Sequence, residues 1–344
     1  MAIVREDSHL SSTSSVCCHC HGHKFTRSEV KTELIALLKI SWPVMTNQVL
    51  WFLLTVISII FSGHLGQTEL AAAAIGQSVI HVAFRSVAVG YTSTCDTLFA
   101  QTYGSTNKKR VGVMFQRGIL TTTLVLMVCA GVLINTDLIL LLVGQDPEVA
   151  RLAGVYVYIY LIGAPMDIFS YILTKYLQCQ SYMIPTVVVM VITAGLSVVF
   201  HYVAINLLGY GLNGVMIAQV SSYYLQAFLL VAVTKCKNLH VETWGGWTLD
   251  CLQEWGMVFK LGIPGAFMMC MEWWSFEIGF FVAGTLGNAA VGAHSVFFYI
   301  ATLLWSAGGG LGIGGSIRIG NALGADQPHK ARVSSFIVAI LGGK

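Results

Sequence analysis

Charge is what this sequence has least of. Asp, Glu, Lys and Arg make up only 10% of its 344 residues, against about 25% in an ordinary soluble domain. With 56% hydrophobic residues and a mean hydropathy of +0.73, that scarcity excludes a soluble globule. It predicts an all-α polytopic protein whose surroundings are the lipid bilayer. Other absences narrow the function. There is no HExxH pair, phosphate-binding loop or nucleophile triad, so the sequence predicts no enzyme, no cofactor and no catalytic metal. A net charge of +3 without a basic stripe and interleaved aromatics gives no reason to expect nucleic acid. No Asn-X-Ser/Thr sequon marks an outer loop. No obligate protein partner is inferred.

The first thirty residues lack the apolar segment of a cleaved signal peptide. They are polar and Ser-rich, with the run Cys17-Cys18-His19-Cys20-His21-Gly22-His23. That run reads as part of a plain disordered tail, a palmitoylation site or a metal ligand set, although adjacent ligands without a distant second pair are poor zinc spacing. Cys95, Cys129, Cys179 and Cys270 fall in or beside apolar helices and read as small apolar fillers rather than a disulfide framework.

What is abundant is hydrophobic blocks of spanning length. They lie near 34–62, 70–98, 118–143, 152–178, 184–208, 213–235, 256–284 and 290–316, and a ninth begins near 333. The expectation is eight spans and a stump. Of the nineteen Lys and Arg, seventeen fall on one side if the N-terminus is inside, leaving Arg151 outside and Arg85 within the second block. This bias predicts a cytoplasmic N-terminus. Between the sixth and seventh blocks, Cys236 to Trp255 carries Trp244, Trp247 and Trp255 with Glu242, Asp250 and Glu254, and reads as an amphipathic interfacial segment. The expected organisation is a tail over 1–31, a six-helix lobe over 32–236, a cytoplasmic linker over 237–255 and part of a second lobe over 256–344.

An internal repeat crosses that linker. Lys39-Ile-Ser-Trp-Pro43 matches Lys260-Leu-Gly-Ile-Pro264 at an offset of 221, and the same offset brings Gly63 and Gly66 onto Gly284 and Gly287. Farther on, Gln101-Thr-Tyr-Gly104 falls on Asn321-Ala-Leu-Gly324 and Arg110-Val111 on Arg332-Val333, with small gaps. Six-helix units in tandem keep the same topology, so the repeat is parallel and a site is expected between the halves.

The stretch Gly262 to Gly284 is apolar all round yet carries Glu272 and Glu277. A charge at bilayer depth costs at least about 2.5–3.5 kcal/mol, so these carboxylates predict a watery cavity, proton binding or both. Five residues separate them, about 140° around a helix, which predicts one facing the cavity and the other its margin or a neighbouring helix. Trp273 and Trp274 beside them can add cation–π attraction for an organic cation. At offset 221 their partners in the first half are Trp51 and Val56. The acids are therefore not a feature of symmetric packing.

Other polar groups leave alternatives open. Asp167, beside Pro165, is either a second cavity carboxylate or a cap for backbone freed by the proline. Asp96 reads as interfacial, and Arg85 either pairs with an acid or snorkels. His81, His201 and His294 read more readily as core histidines than as proton carriers. Asn47, Gln48, Gln77 and Gln219 either line the cavity or join helices. Gly308 to Gly315, GGGLGIGG, formally contains G-x-G-x-x-G but lacks the strand-helix context of a dinucleotide site. It predicts close helix packing or a flexible break.

Several motifs together resemble the multidrug and toxic compound extrusion transporters. They include Gly63-His-Leu-Gly66 with Glu69-Leu-Ala-Ala72, Asp96-Thr-Leu-Phe-Ala-Gln-Thr-Tyr-Gly104, and Val111-Gly-Val with Gln116-Arg117. Trp244-Gly-Gly-Trp247, Cys270-Met-Glu-Trp-Trp274 and Arg318-Ile-Gly-Asn-Ala-Leu-Gly324 resemble the animal branch closely. The resemblance runs from about residue 34 to 336. It implies a twelve-helix core in two lobes around a cleft, and exchange of external protons for cytosolic organic cations and drugs at the plasma membrane. By the same resemblance Glu272 falls on the family's essential seventh-helix glutamate and Glu277 on a second acidic position. The first-helix aspartate of bacterial relatives is replaced by Ser58, and the eighth-helix glutamate of animal relatives by Tyr299, a further cavity candidate. It also implies that the second lobe is present only in part. The alternative reading is thus a truncated isoform or fragment that does not transport and at most associates with a full-length transporter.

Overall fold

A computed structural model describes residues 26–286 and 288–342, without the side chains of 280–281, 283–296, 299, 303 and 307. The Cys/His run at 17–23 lies outside the described residues. In hydrocarbon every backbone N–H and C=O must be satisfied within the chain, and the described residues accordingly form eleven α-helices and no strand.

Helix α1 (Arg27–Gly63) starts at a capping box in which the Glu29 N–H donates to Thr26 Oγ1 and the Thr26 N–H to Glu29 Oε2. Helices α2 (Gln67–Ile80) and α3 (Ser86–Gly104) form one continuous span, joined by a single π turn over His81–Arg85. The third predicted block is two helices, α4 (Arg110–Ile134) and the short α5 (Thr136–Leu142). They part at Asn135, whose side chain turns back to the Gly131 carbonyl. Helix α6 (Pro147–Cys179) is capped by Asp146 with proline in its first turn. Then come α7 (Met183–Tyr202), α8 (Gly211–Cys236), α9 (Trp255–Leu286), α10 (Asn288–Gly324) and α11 (Pro328–Leu341). Among the described residues, seven segments are long and apolar enough to cross a membrane. Helix α9 has the length but is not one of the seven, in keeping with its two glutamates.

Helices α1 to α8 form one bundle, with α6 against α8 and α2, α7 between α1 and α8, and α4 along α3 and α6. Its core is unusually aromatic: Phe84, Tyr156, Tyr160, Tyr176 and Tyr223 are all buried. Helix α9 lies on α3, α10 lies on both α1 and α3, and α11 packs on α10 and α1. This arrangement follows the sequence repeat. The contact of α3 with α9 becomes, under the repeat, the contact of α10 with α1.

Glycines locate both copies. A Cβ on Gly90 would sit 2.5 Å from the Gly265 carbonyl oxygen, and one on Gly310 would sit 2.7 Å from Met45 Cα. The α3–α10 contact is its own mate. A Cβ on Gly104 would strike the Asn321 carbonyl, and one on Gly324 would strike the Gln101 carbonyl. The glycine-rich run is therefore no break. Helix α10 continues through it, and Gly310, Gly314 and Gly315 admit Met45, Ser41 and Val338.

An ion pair closes the same end of the bundle. Arg318 on α10 donates through Nε and Nη2, at 3.0 Å each, to the two carboxylate oxygens of Glu33 on α1. Ser334 on α11 adds a third bond at 3.3 Å. Glu33 is only 7% exposed.

The predicted linker is a strap bound along α4. The Gly112 N–H donates to the Thr243 carbonyl at 2.9 Å, Gln116 Nε2 to the Gly246 carbonyl at 2.7 Å and Arg117 Nη2 to the Asp250 carbonyl at 3.1 Å. Gly246, at φ +95°, adopts backbone open to glycine but strained for other residues. Glu254, just before α9, receives both Arg110 and Arg117, at 3.0 and 3.1 Å. Partial burial raises the pKa of its carboxyl, but the Arg117 hydrogen bond and the two guanidinium charges outweigh this and hold it below the ordinary value. Every one of these partners lies on α4.

Candidate functional site

Beyond the glycine-sealed end, where α1, α9, α10 and the π turn diverge, lies a partly open cavity; it and the solvent at its mouth together hold roughly 750 Å³ of atom-free space. Its wall is built from Gln48, Trp51 and Phe52 of α1, His81 and Val82 of the π turn, Glu272, Trp273, Phe276 and Glu277 of α9, and Phe298, Ala301, Thr302, Trp305 and Ser306 of α10. The π turn takes one extra residue per turn and rotates α3 out of phase with α2. It places His81 on the wall while Arg85, at its other end, is buried inside the bundle.

The cavity is aromatic and acidic at once. Trp273 meets His81 edge-on at 5.7 Å between ring centroids and Trp305 at 6.1 Å. Phe276 meets Phe298 at 5.9 Å. Glu272 Oε1 accepts the Trp305 indole N–H at 2.8 Å. Glu277 Oε2 accepts from the Ser78 hydroxyl on α2 at 3.2 Å. The two acids therefore both border the cavity, one turned to α10 and the other to α2, because the wall wraps more of α9 than a narrow stripe. Aromatic faces attract a desolvated cation by about 0.5–2 kcal/mol each, and carboxylates supply the counter-charge. The chemistry suits a flat or quaternised organic cation, or a proton in its place.

The predicted site residues separate in the structure. Glu272, Glu277, Trp273 and Gln48 come together on one wall. Asn47 does not: it is buried and donates to Thr186 on α7 at 3.2 Å, joining two helices. Trp274 is turned out of the cavity, its indole N–H on the Val82 carbonyl at 3.0 Å. Asp167 is neither a cavity carboxylate nor a proline cap. It is 4% exposed and pairs with Arg85 at 2.9 Å, while Tyr160 donates to the same oxygen at 3.0 Å. The Tyr299 side chain and His294 lie outside the described residues. Asp96 is buried and paired with Lys175 of α6, which neutralises it inside the bundle. His201 is a core histidine on Ser58 and the Ser197 carbonyl.

Sequence reasoning did not place Trp305, His81, Trp51, Phe276 or Phe298 on this wall. The repeat held a signal for two of them: Trp51 is the mate of Glu272, and Trp305 lies one turn from the mates of His81 and Val82.

Comparison with known proteins gives a consistent picture. The MatE family model matches residues 43–203 and 264–343. Multidrug and toxin extrusion protein 1 of Danio rerio is 41% identical over 336 residues, covering 96% of this chain and 57% of its own length. Multidrug and toxin extrusion protein 1 of Homo sapiens is 40% identical over 314 residues, covering 91% and 55%. The chain thus spans a little over half the length of these relatives. Among solved structures, the eukaryotic MATE transporter AtDTX14 superposes with a TM-score of 0.86 at 28% identity, covering 91% of this chain and 70% of that one.

Proposed function

This chain belongs to the MatE family, and on that premise we propose that it is a secondary transporter exporting organic cations and drugs in exchange for protons. The single observation that carries the reading is the pair Glu272 and Glu277 in an aromatic cavity between the repeat-related halves. Glu272 and Glu277 would alternate between a proton and an organic cation, with Trp273, Trp305, Phe276 and Phe298 holding the cation's apolar faces and Gln48 and Thr302 its polar substituents. Exchange arises because one carboxylate cannot carry both at once. The names of the relatives, multidrug and toxin extrusion proteins, support the same substrate class.

The distribution of Lys and Arg supports a cytoplasmic N-terminus, which makes the glycine-sealed end the cytoplasmic one and leaves the cavity facing outward. In this reading residues 32–236 form the first lobe, 237–255 the cytoplasmic linker and 256–344 the portion of the second lobe carried here, after a tail over 1–31. The membrane is the plasma membrane, as the animal resemblance implies.

The test is flux. The chain is reconstituted into vesicles and uptake of tetraethylammonium is followed under an imposed pH gradient. Proton-driven uptake is expected, and Glu272→Gln is expected to abolish it while leaving the folded protein intact. Uptake that survives Glu272→Gln would refute the assignment of the exchange site. Absence of gradient-driven uptake by the unaltered chain would refute autonomous transport and favour association with a longer transporter.

A further inference from the structure

Arg85 is the largest fully buried side chain of the bundle, 2% exposed, and its surroundings have the form of a ligand site. The guanidinium carbon lies 4.6 Å from the centroid of Trp51, 5.6 Å from Tyr223 and 5.9 Å from Tyr160. Asp167 accepts its Nη2 at 2.9 Å, and the same nitrogen donates to the Tyr223 hydroxyl. Arg85 Nε, by contrast, has no hydrogen-bond partner among the described residues. Three aromatic faces and one carboxylate are the recognition chemistry for a desolvated cation. Trp51 is shared between this cage and the cavity, so the two are separated by one indole.

The repeat sharpens the comparison. Trp51 is the mate of Glu272 at offset 221. At the offset of 220 that relates Gln101 to Asn321, Arg85 is the mate of Trp305. The contact of Arg85 with Trp51 in the first half is therefore the contact of Trp305 with Glu272 in the second. One copy holds a cation against an indole, and the other holds an indole against an anion.

We propose that Trp51, Tyr160, Tyr223 and Asp167 form a second cation-binding site, specific for guanidinium-type and small ammonium ions, which Arg85 occupies as a permanent tethered ligand. The occupancy neutralises Asp167 and keeps mobile cations out of the first bundle. Exchange is then confined to the α9 carboxylates, a consequence that rests on the proposed function, whereas the site itself does not.

Chemical rescue tests the site without any transport readout. Thermal unfolding of purified Arg85→Ala is measured in detergent against guanidinium and methylguanidinium chloride, far below denaturing concentrations, with sodium chloride as the ionic-strength control. The variant is expected to melt lower than wild type and to regain the lost Tm with increasing guanidinium but not with sodium. Wild type, whose site is filled, and Arg85→Ala/Asp167→Asn, whose site lacks its anion, are expected to show no such recovery. Recovery of equal size in wild type or in the double variant, or none in Arg85→Ala, overturns the proposal. The neutral pair Arg85→Met/Asp167→Asn guards against failure to fold. If it purifies normally while Arg85→Ala cannot be recovered even with guanidinium present, the cage takes no free cation and the proposal fails.

Discussion

The ion pair of Glu33 and Arg318 joins the first helix of one half to the second helix of the other, and Arg318→Met tests how strongly. The substitution keeps much of the side-chain volume and removes both N–H donors. Among the described residues, Glu33 is then left with the Ser334 hydroxyl alone, at 3.3 Å. Removing one partner of a fully buried pair costs about 3–5 kcal/mol. The Arg318 side chain is 33% exposed, so water already screens part of the attraction, and a cost of about 2 kcal/mol is expected. That corresponds to roughly a 30-fold change in the unfolding equilibrium. Glu33→Gln should cost less, about 1 kcal/mol, because the amide retains an acceptor for one of the two donors. The double variant should be scarcely worse than Arg318→Met alone, leaving a coupling energy near 1 kcal/mol in a double-mutant cycle. Denaturant titration in detergent measures the cycle. Hydrogen exchange over Gly320–Gly324 reports whether this end of the bundle opens before the rest. A coupling below about 0.3 kcal/mol, the ordinary limit of additivity, would show that the bidentate geometry carries no energy and would refute the reasoning.

Other substitutions probe the same surfaces. Gly104→Ala and Gly324→Ala each force α3 and α10 apart at a backbone contact. Each should cost about 1–3 kcal/mol, with the double variant less than additive because the contact is reciprocal; thermal unfolding measures this. Trp305→Phe removes the indole donor to Glu272 together with part of the aromatic face. At about 1.5 kcal/mol or more for a bond to a charged group, affinity for an organic cation should fall roughly tenfold in equilibrium binding. The carboxyl of Glu254 is held below its ordinary value of 4.5. Its contribution is therefore complete above that value and is lost as pH falls through the lowered native value. Hydrogen exchange over Thr243–Leu252 should speed up across that interval, and a Glu254→Gln variant should show fast exchange at neutral pH already.

How much of this could be read from the sequence depends on which residues carry phase information. Span positions come from apolar length. The repeat comes from glycine and proline anchors such as Pro43 and Pro264, and the site helix from two acids where hydrocarbon tolerates none. Helical phase was not legible. Helix α1 is apolar on every side, so nothing in the sequence tells Asn47, which reaches into the bundle towards Thr186, from Gln48, which lines the cavity. The π turn adds a second obstacle. It breaks the 3.6-residue period between α2 and α3, so that His81 borders the cavity while Arg85, four residues on, is buried in the bundle. Arg85 and Asp167 are 82 positions apart on helices that become neighbours only in the folded bundle. The linker read as amphipathic because it combines three tryptophans with three acids. Its fold is set instead by Gly246 and by arginines on a helix more than a hundred residues earlier.

The strap has a mechanical consequence. Its last anchored residue, Glu254, immediately precedes the first residue of α9, so no slack separates the anchor from the helix. Helix α9 cannot slide as a body past α4 without breaking both ion pairs, so any tilt pivots near Glu254. Glu272 stands eighteen residues along that lever, about 27 Å from the fulcrum at 1.5 Å per residue. A tilt of about 10° about Glu254 would then carry its carboxylate some 5 Å sideways (roughly one helical pitch), while the fulcrum and its two arginines hardly move.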